Sequence, residues 1–196
     1  MKILITRHGE SLYNVENRIG GDPSLSESGK KYAKALKEFC RLQIIPTVAY
    51  VSTKKRAIHT IAGFKHIFSK CVYCPELDEI DAGLCEGLTY SEVKERYPKE
   101  FYRRLADKLH YRYPKGESYV DLFRRVKPIV TKIMTDKDDV FMVCHRAVIR
   151  ALLHHLTEIP ITSIPDFDVP LHHVLYLNGT PGKMILGMKK LDEEDY

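Results

Sequence analysis

Val-Phe-Met-Val-Cys, residues 140–144, is an unbroken apolar run of strand length that leads directly into His145 and a helix-periodic segment, 147–156. A strand with no polar face belongs in a sheet covered on both sides, and such sheets are largely parallel. Residues 2–6, Lys-Ile-Leu-Ile-Thr, read as a second buried strand, and it too ends in chemistry, at Arg7-His8-Gly9. Two apolar strands that each deliver a histidine restrict the fold more than any other feature of the chain.

The remainder alternates in the same way. Apolar spacing predicts a helix from Ser26 to about Leu42, with Ala33, Leu36, Phe39 and Cys40 on its inner face. A short β-rich stretch at 47–53 precedes helical residues 54–64. Two helical pieces broken near Pro98 are predicted over 93–109. The longest periodic segment, Glu117 to Thr135, has Val120, Phe123, Val126, Ile129, Val130 and Ile133 as its stripe, despite Pro128. Residues 174–178 and 183–188 read as late strands, and 191–196 as a solvated acidic tail. Strand–helix alternation of this kind predicts an α/β fold, a three-layer sandwich with a mostly parallel central sheet and helices on both faces.

No repeat or linker interrupts the 196 residues, so one domain over 1–196 is expected. No apolar run reaches membrane-spanning length and no signal peptide is recognisable, which predicts a soluble, cytoplasmic protein without a membrane partner. The formal charge of +5 is spread in basic doublets, a mild field that favours small anions. No nucleic-acid-binding motif accompanies it, so no nucleic-acid partner is expected. Five cysteines without a secretory signal argue against a disulfide framework, and Cys71-x-x-Cys74 lacks a second half for a zinc site.

Ligands of open α/β sheets bind beyond the carboxyl ends of the strands. Arg7, His8, Arg56 and His145 each follow a strand, so they should meet in one crevice, and two arginines with two histidines make an anion site. The matching chemistry is phosphoryl transfer through a phosphohistidine. One nitrogen of His8 attacks phosphorus while a carbonyl holds the proton on the other. Arg7 and Arg56 disfavour the imidazolium and clamp the phosphate oxygens, and His145 adds a hydrogen bond. No metal or other cofactor is expected, because arginine and histidine supply the charge. A general acid must still protonate the leaving oxygen. The loop 76–90 offers Glu76, Asp78, Glu79, Asp81 and Glu86, and spacing does not choose among them.

Plainer readings compete. A single histidine at a strand end is usually a surface residue, and His59, His66, His110, His154, His155, His172 and His173 are read as structural or exposed. Tyr111-Arg112-Tyr113 suits loop packing as well as base stacking. Cys144 and Arg150 match C-x5-R, the spacing of cysteine-dependent phosphatases, yet the intervening Ala147, Val148 and Ile149 suit a helix better than an anion-cradling loop.

Arg-His-Gly-Glu-Ser at 7–11, the Cys-His pair at 144–145 and Glu-Ile-Asp-Ala-Gly at 79–83 together resemble the histidine phosphatase, or phosphoglycerate mutase-like, superfamily. Within it, NRIGGD (17–22), DEIDAG (78–83), YRYPKGESY (111–119) and PLHHVL (170–175) resemble the fructose-2,6-bisphosphatase branch, the phosphatase half of the bifunctional kinase/bisphosphatases. The likeness runs from Ile3 to about Leu177. It implies a fructose-2,6-bisphosphate 2-phosphatase, with His8 as nucleophile and Glu79 as the acid. It also implies that Arg7, Asn14, Arg56 and His145 hold the transferring phosphate and that Gly20 approaches the substrate through its backbone. Tyr90, Arg104, Lys108, Tyr119 and Arg150 would then bind the sugar and its second phosphate. The residues agree that two phosphates need two cation clusters, and Arg104 and Lys108 stand at i, i+4 on one predicted helix face. Two positions depart from the branch: Arg146 stands where Gln is usual and Gly87 where an acidic residue is usual. The extra cation is expected to tighten substrate binding, slow phosphate release or alter specificity. No G-x-x-x-x-G-K-[ST] occurs, so no kinase half is expected here.

Overall fold

A computed structural model describes residues 1–42, 48–180 and 182–191. It has β1 (Lys2–Arg7), α1 (Leu12–Val15), α2 (Glu27–Leu42), β2 (Val48–Val51), α3 (Lys55–Ile61), β3 (Lys70–Tyr73), α4 (Tyr90–Arg96) and α5 (Pro98–Ala106). These are followed by α6 (Tyr119–Asp136), β4 (Val140–Cys144), α7 (Arg146–Leu156), β5 (His173–Asn178) and β6 (Ile185–Lys190). The six strands form one sheet in the order β3-β2-β4-β1-β5-β6. β1, β2, β3 and β4 run parallel, whereas β5 pairs antiparallel with both β1 and β6. The expected mostly parallel sheet is therefore present, with an antiparallel margin. The acidic tail, apart from Leu191, lies outside the described residues.

Pleating divides the apolar strands between two cores. Ile3, Ile5, Val140, Met142 and Cys144 face one way, against α6 and α7. Leu4, Ala49, Val51, Phe141 and Val143 face the other, against α2 and α3. Each of these side chains adds about 1.5–3 kcal/mol when large and fully buried, so β1 and β4 are the most firmly seated strands. Any residue at their carboxyl ends inherits that rigidity.

Local details differ from the periodicity in instructive ways. The buried face of α2 includes Tyr32 and Ala35, while Ala33 is only half-buried. Tyr119 and Leu122 join the α6 stripe in place of half-buried Val120. Ser118 caps that helix through a reciprocal capping box with Asp121, and the exposed Pro128 lies on the solvent side, where its missing N–H leaves the buried face untouched. The break near Pro98 separates α4 from α5 as predicted.

Candidate active site

Arg7 is the last residue of β1, and His8 follows it with its backbone N–H donating to the Cys144 carbonyl at 3.0 Å. His145 stands at the same level, at the N-cap of α7 directly after β4. Register pairs Arg7 with Cys144 across the two strands, which brings the histidine rings to 5.0 Å between centroids. Gly9 makes the turn possible. A Cβ there would stand 2.6 Å from the Gly29 carbonyl oxygen, so a side chain would push the strand end off α2.

The hydrogen bonds assign the His8 tautomer. His8 Nδ1 lies 2.7 Å from the Gly9 carbonyl, which can only accept, so the proton is on Nδ1 and the lone pair on Nε2. Arg56 Nε–H donates to that lone pair at 3.1 Å, and Arg56 Nη1 donates to the Gly21 carbonyl at 2.7 Å. Burial first, then Arg56 and Arg7, hold the His8 imidazole well below its ordinary value, leaving it neutral. His145 is held low by burial and by Arg56, His8 and Arg7. Burial and the neighbouring Arg146 push the Arg7 guanidinium down to about 9. Three buried polar atoms here have no hydrogen-bond partner among the described residues: Arg7 Nε, Arg7 Nη1 and His145 Nδ1. Unpartnered buried polar atoms are costly, and folded chains keep them where a ligand completes them.

A cavity of about 460 Å³ opens from His8, and twelve of the thirteen residues singled out from the sequence line it. His145 alone is set back, fully buried beside His8. Of the five carboxylates in the 76–90 loop, only Glu79 lines this cavity. Asp78 is tied to Ser52 and Thr53, Asp81 accepts from Gly83 N–H, and Glu86 accepts from the Gly21 and Ala82 N–H groups. Glu79 Oε1 accepts from Ala147 N–H at 3.3 Å, at the amino end of α7. Asn14 commits its Oδ1 to the capping box that starts α1, and Gly20 bends with φ of +63° beside Glu86.

The far wall holds a second cluster. Arg104 lies 4.9 Å over the Tyr90 ring and donates to the Tyr113 hydroxyl at 2.8 Å. Lys108 reaches Asp166 Oδ1 at 2.6 Å. Arg150 donates to the Tyr119 hydroxyl and to the Phe167 carbonyl. Lys108 is not on the helix face of Arg104, which corrects the i, i+4 expectation. α5 stops at Ala106 because Asp107 accepts the His110 N–H and folds the chain into a turn. Arg146 is exposed on the cavity wall at the first turn of α7.

Cys144 is fully buried in the α6–α7 core, and burial pushes its thiol far up, so the C-x5-R spacing has no chemical counterpart. Among the other histidines, His172 is half-buried, stacks on Tyr32 at 4.6 Å and accepts from Glu10 N–H. Three participants escaped the sequence reading: Tyr113, Ser52 and Asp78 as an anchor. Tyr113 carried a signal, since it lies within the 111–119 motif, while Ser52 carried none beyond its place after a strand.

The family model described as histidine phosphatase superfamily, branch 1, matches residues 3–189. Curated relatives named 6-phosphofructo-2-kinase/fructose-2,6-bisphosphatase are 43% identical over 89% of this chain in Caenorhabditis elegans and 44% over 89% in Gallus gallus. The chain covers 38% and 37% of those proteins, so it spans well under half their length. Among solved structures, a putative alpha-ribazole-5'-P phosphatase from Escherichia coli superposes with a TM-score of 0.83 at 20% identity, covering 98% of this chain and 96% of that one. A mycobacterial glucosyl-3-phosphoglycerate phosphatase in complex with VO3 gives 0.82 at 23%, covering 97% and 99%. At those identities the likeness is one of fold.

Proposed function

This chain belongs to the histidine phosphatase superfamily, and we propose that it is a phosphoric monoester hydrolase that cleaves the 2-phosphate of fructose 2,6-bisphosphate, giving fructose 6-phosphate and phosphate. The observation that carries the reading is the pair of cation clusters at opposite ends of one cavity, the proximal one holding unpartnered donors around a neutral His8. The relatives' names supply the substrate.

In the first step His8 Nε2 attacks phosphorus as the bond to the sugar O2 breaks. Arg7 and Arg56 fork onto the phosphoryl oxygens and stabilise the charge in flight. Glu79 gives its proton to O2. Water then attacks the phosphohistidine, Glu79 takes a proton from that water, and the P–N bond breaks. The distal Arg104, Lys108 and Arg150 hold the 6-phosphate, with Tyr90, Tyr113 and Tyr119 around the sugar. No step calls for a metal or other cofactor.

A second reading, a phosphatase or mutase of wider sugar- or glycerate-phosphate range, is favoured by exposed Arg146, a cation beyond what two phosphates need. Trapping with 2-labelled fructose 2,6-bisphosphate tests the first. The native chain should carry acid-labile label on His8, and His8→Ala should lose label and on the order of 10⁴-fold or more in turnover. Full turnover by His8→Ala ends the proposal. Equal rates on 2,3-bisphosphoglycerate or simple monoesters favour the second reading.

A further inference from the structure

Ser52 follows β2, is fully buried, and joins two groups that are far apart in the chain. Its hydroxyl donates to Asp78 Oδ1 at 2.6 Å, and its oxygen lies 2.7 Å from His145 Nε2. Asp78 accepts three times in all, since the Thr53 N–H reaches Oδ1 at 2.7 Å and the Thr53 hydroxyl reaches Oδ2 at 2.6 Å. A group that only accepts is an ionised carboxylate. With the hydroxyl proton pointed at Asp78, the Ser52 oxygen is left to accept from the ring, so His145 carries its proton on Nε2. Nδ1 is then the bare nitrogen, and it is the atom with no partner among the described residues.

The His145 ring lies 5.0 Å from that of His8, which lines the cavity; a bare nitrogen turned towards a dianion held at His8 would repel it, whereas an N–H would bind it. We propose that Asp78, acting through Ser52, is a positioning residue that lets His145 take up a proton on Nδ1 when a phosphate dianion enters and return it when phosphate leaves. The proton comes from solvent and goes back to it; Nε2 keeps its own proton on Ser52 throughout. Four neighbours oppose the cation: His8 and Arg7 from the end of β1, and Arg56 and Lys54 from α3 and its amino end. Asp78 is the anion hydrogen-bonded through Ser52, and it balances part of that repulsion. The dianion supplies the rest.

The inference rests on the anion site proposed above, and the full chain with sulfate separates the two. Sulfate stays a dianion across the neutral range, so any proton change belongs to the protein. Nitrogen-15 shifts of His145 should report an Nε2–H neutral ring without sulfate and a doubly protonated ring with it. In Asp78→Asn the ring should stay neutral and sulfate should bind about tenfold more weakly, the loss of one charge-assisted contact. Ser52→Ala leaves Asp78 anchored by Thr53, should show the same loss, and should add nothing to Asp78→Asn. If either variant protonates His145 as the native chain does, or if the free ring carries its proton on Nδ1, the relay is refuted. A native His145 that stays neutral while the His8 ring registers sulfate refutes the relay alone. Silence at both rings overturns the anion site and this inference with it.

Discussion

The two ends of the cavity are built on opposite principles. Around His8 the cations are buried, Arg7 at the end of β1 and Arg56 on α3, and Arg7 Nε and Nη1 have no partner among the described residues. Around Arg104 every cation is already satisfied: Arg104 by Tyr113, Lys108 by Asp166, and Arg150 by Tyr119 and the Phe167 carbonyl. An unsatisfied cluster stores the cost of unmade hydrogen bonds until an anion completes them, which suits charge that develops during reaction. A satisfied cluster must trade one partner for another, which gives modest affinity and discrimination by shape.

That contrast is open to attack in order of expected effect. Arg56→Met removes both the hold on His8 Nε2 and a proximal charge, and kcat should fall about 10²–10³-fold; a change confined to KM would erase the distinction between the two ends. Lys108→Met should do the reverse, raising KM for a bisphosphate about tenfold with kcat within a factor of two and leaving a monophosphate substrate unaffected. The smallest effect is on stability. His8 and His145 are held well below the ordinary 6.5 in the folded chain, so below 6.5 the unfolded chain binds more protons. Their contribution is fully present above pH 6.5 and is lost as pH falls, at most ~1.4 kcal/mol per unit for each ring. Urea midpoints at pH 7.5 and 5.5 should therefore drop less in His145→Asn than in the native chain. Equal drops would mean that the proximal end stores no such cost.

How far the sequence could be read follows the same division. The proximal end was legible because each strand announces itself within five or six residues, and its catalytic candidate is the next residue along. Arg7, His8 and His145 need only the rule that ligands meet strand carboxyl ends. The distal end was legible only through resemblance. Arg104 and Lys108 read alone as a solvated basic helix, and even their shared helix face was wrong, because Asp107 turns the chain before Lys108. The acid was undecidable for a related reason. Five carboxylates within eleven residues differ only in what they meet, and four meet protein or solvent while Glu79 meets the cavity.

By itself the sequence determined the alternation of apolar strands and amphipathic helices, and hence the sheet, its two cores and the histidines at its edge. These follow from periodicities that a few neighbouring residues carry. The tertiary structure decided that β5 and β6 turn antiparallel, that Tyr113 rather than solvent receives Arg104, and that Ser52 sits between Asp78 and His145. Ser52 and His145 are 93 residues apart, and only the placing of β2 beside β4 brings them within a hydrogen bond. No local pattern encodes that neighbourhood, because the hydrophobic effect that selects it acts on area and not on partners.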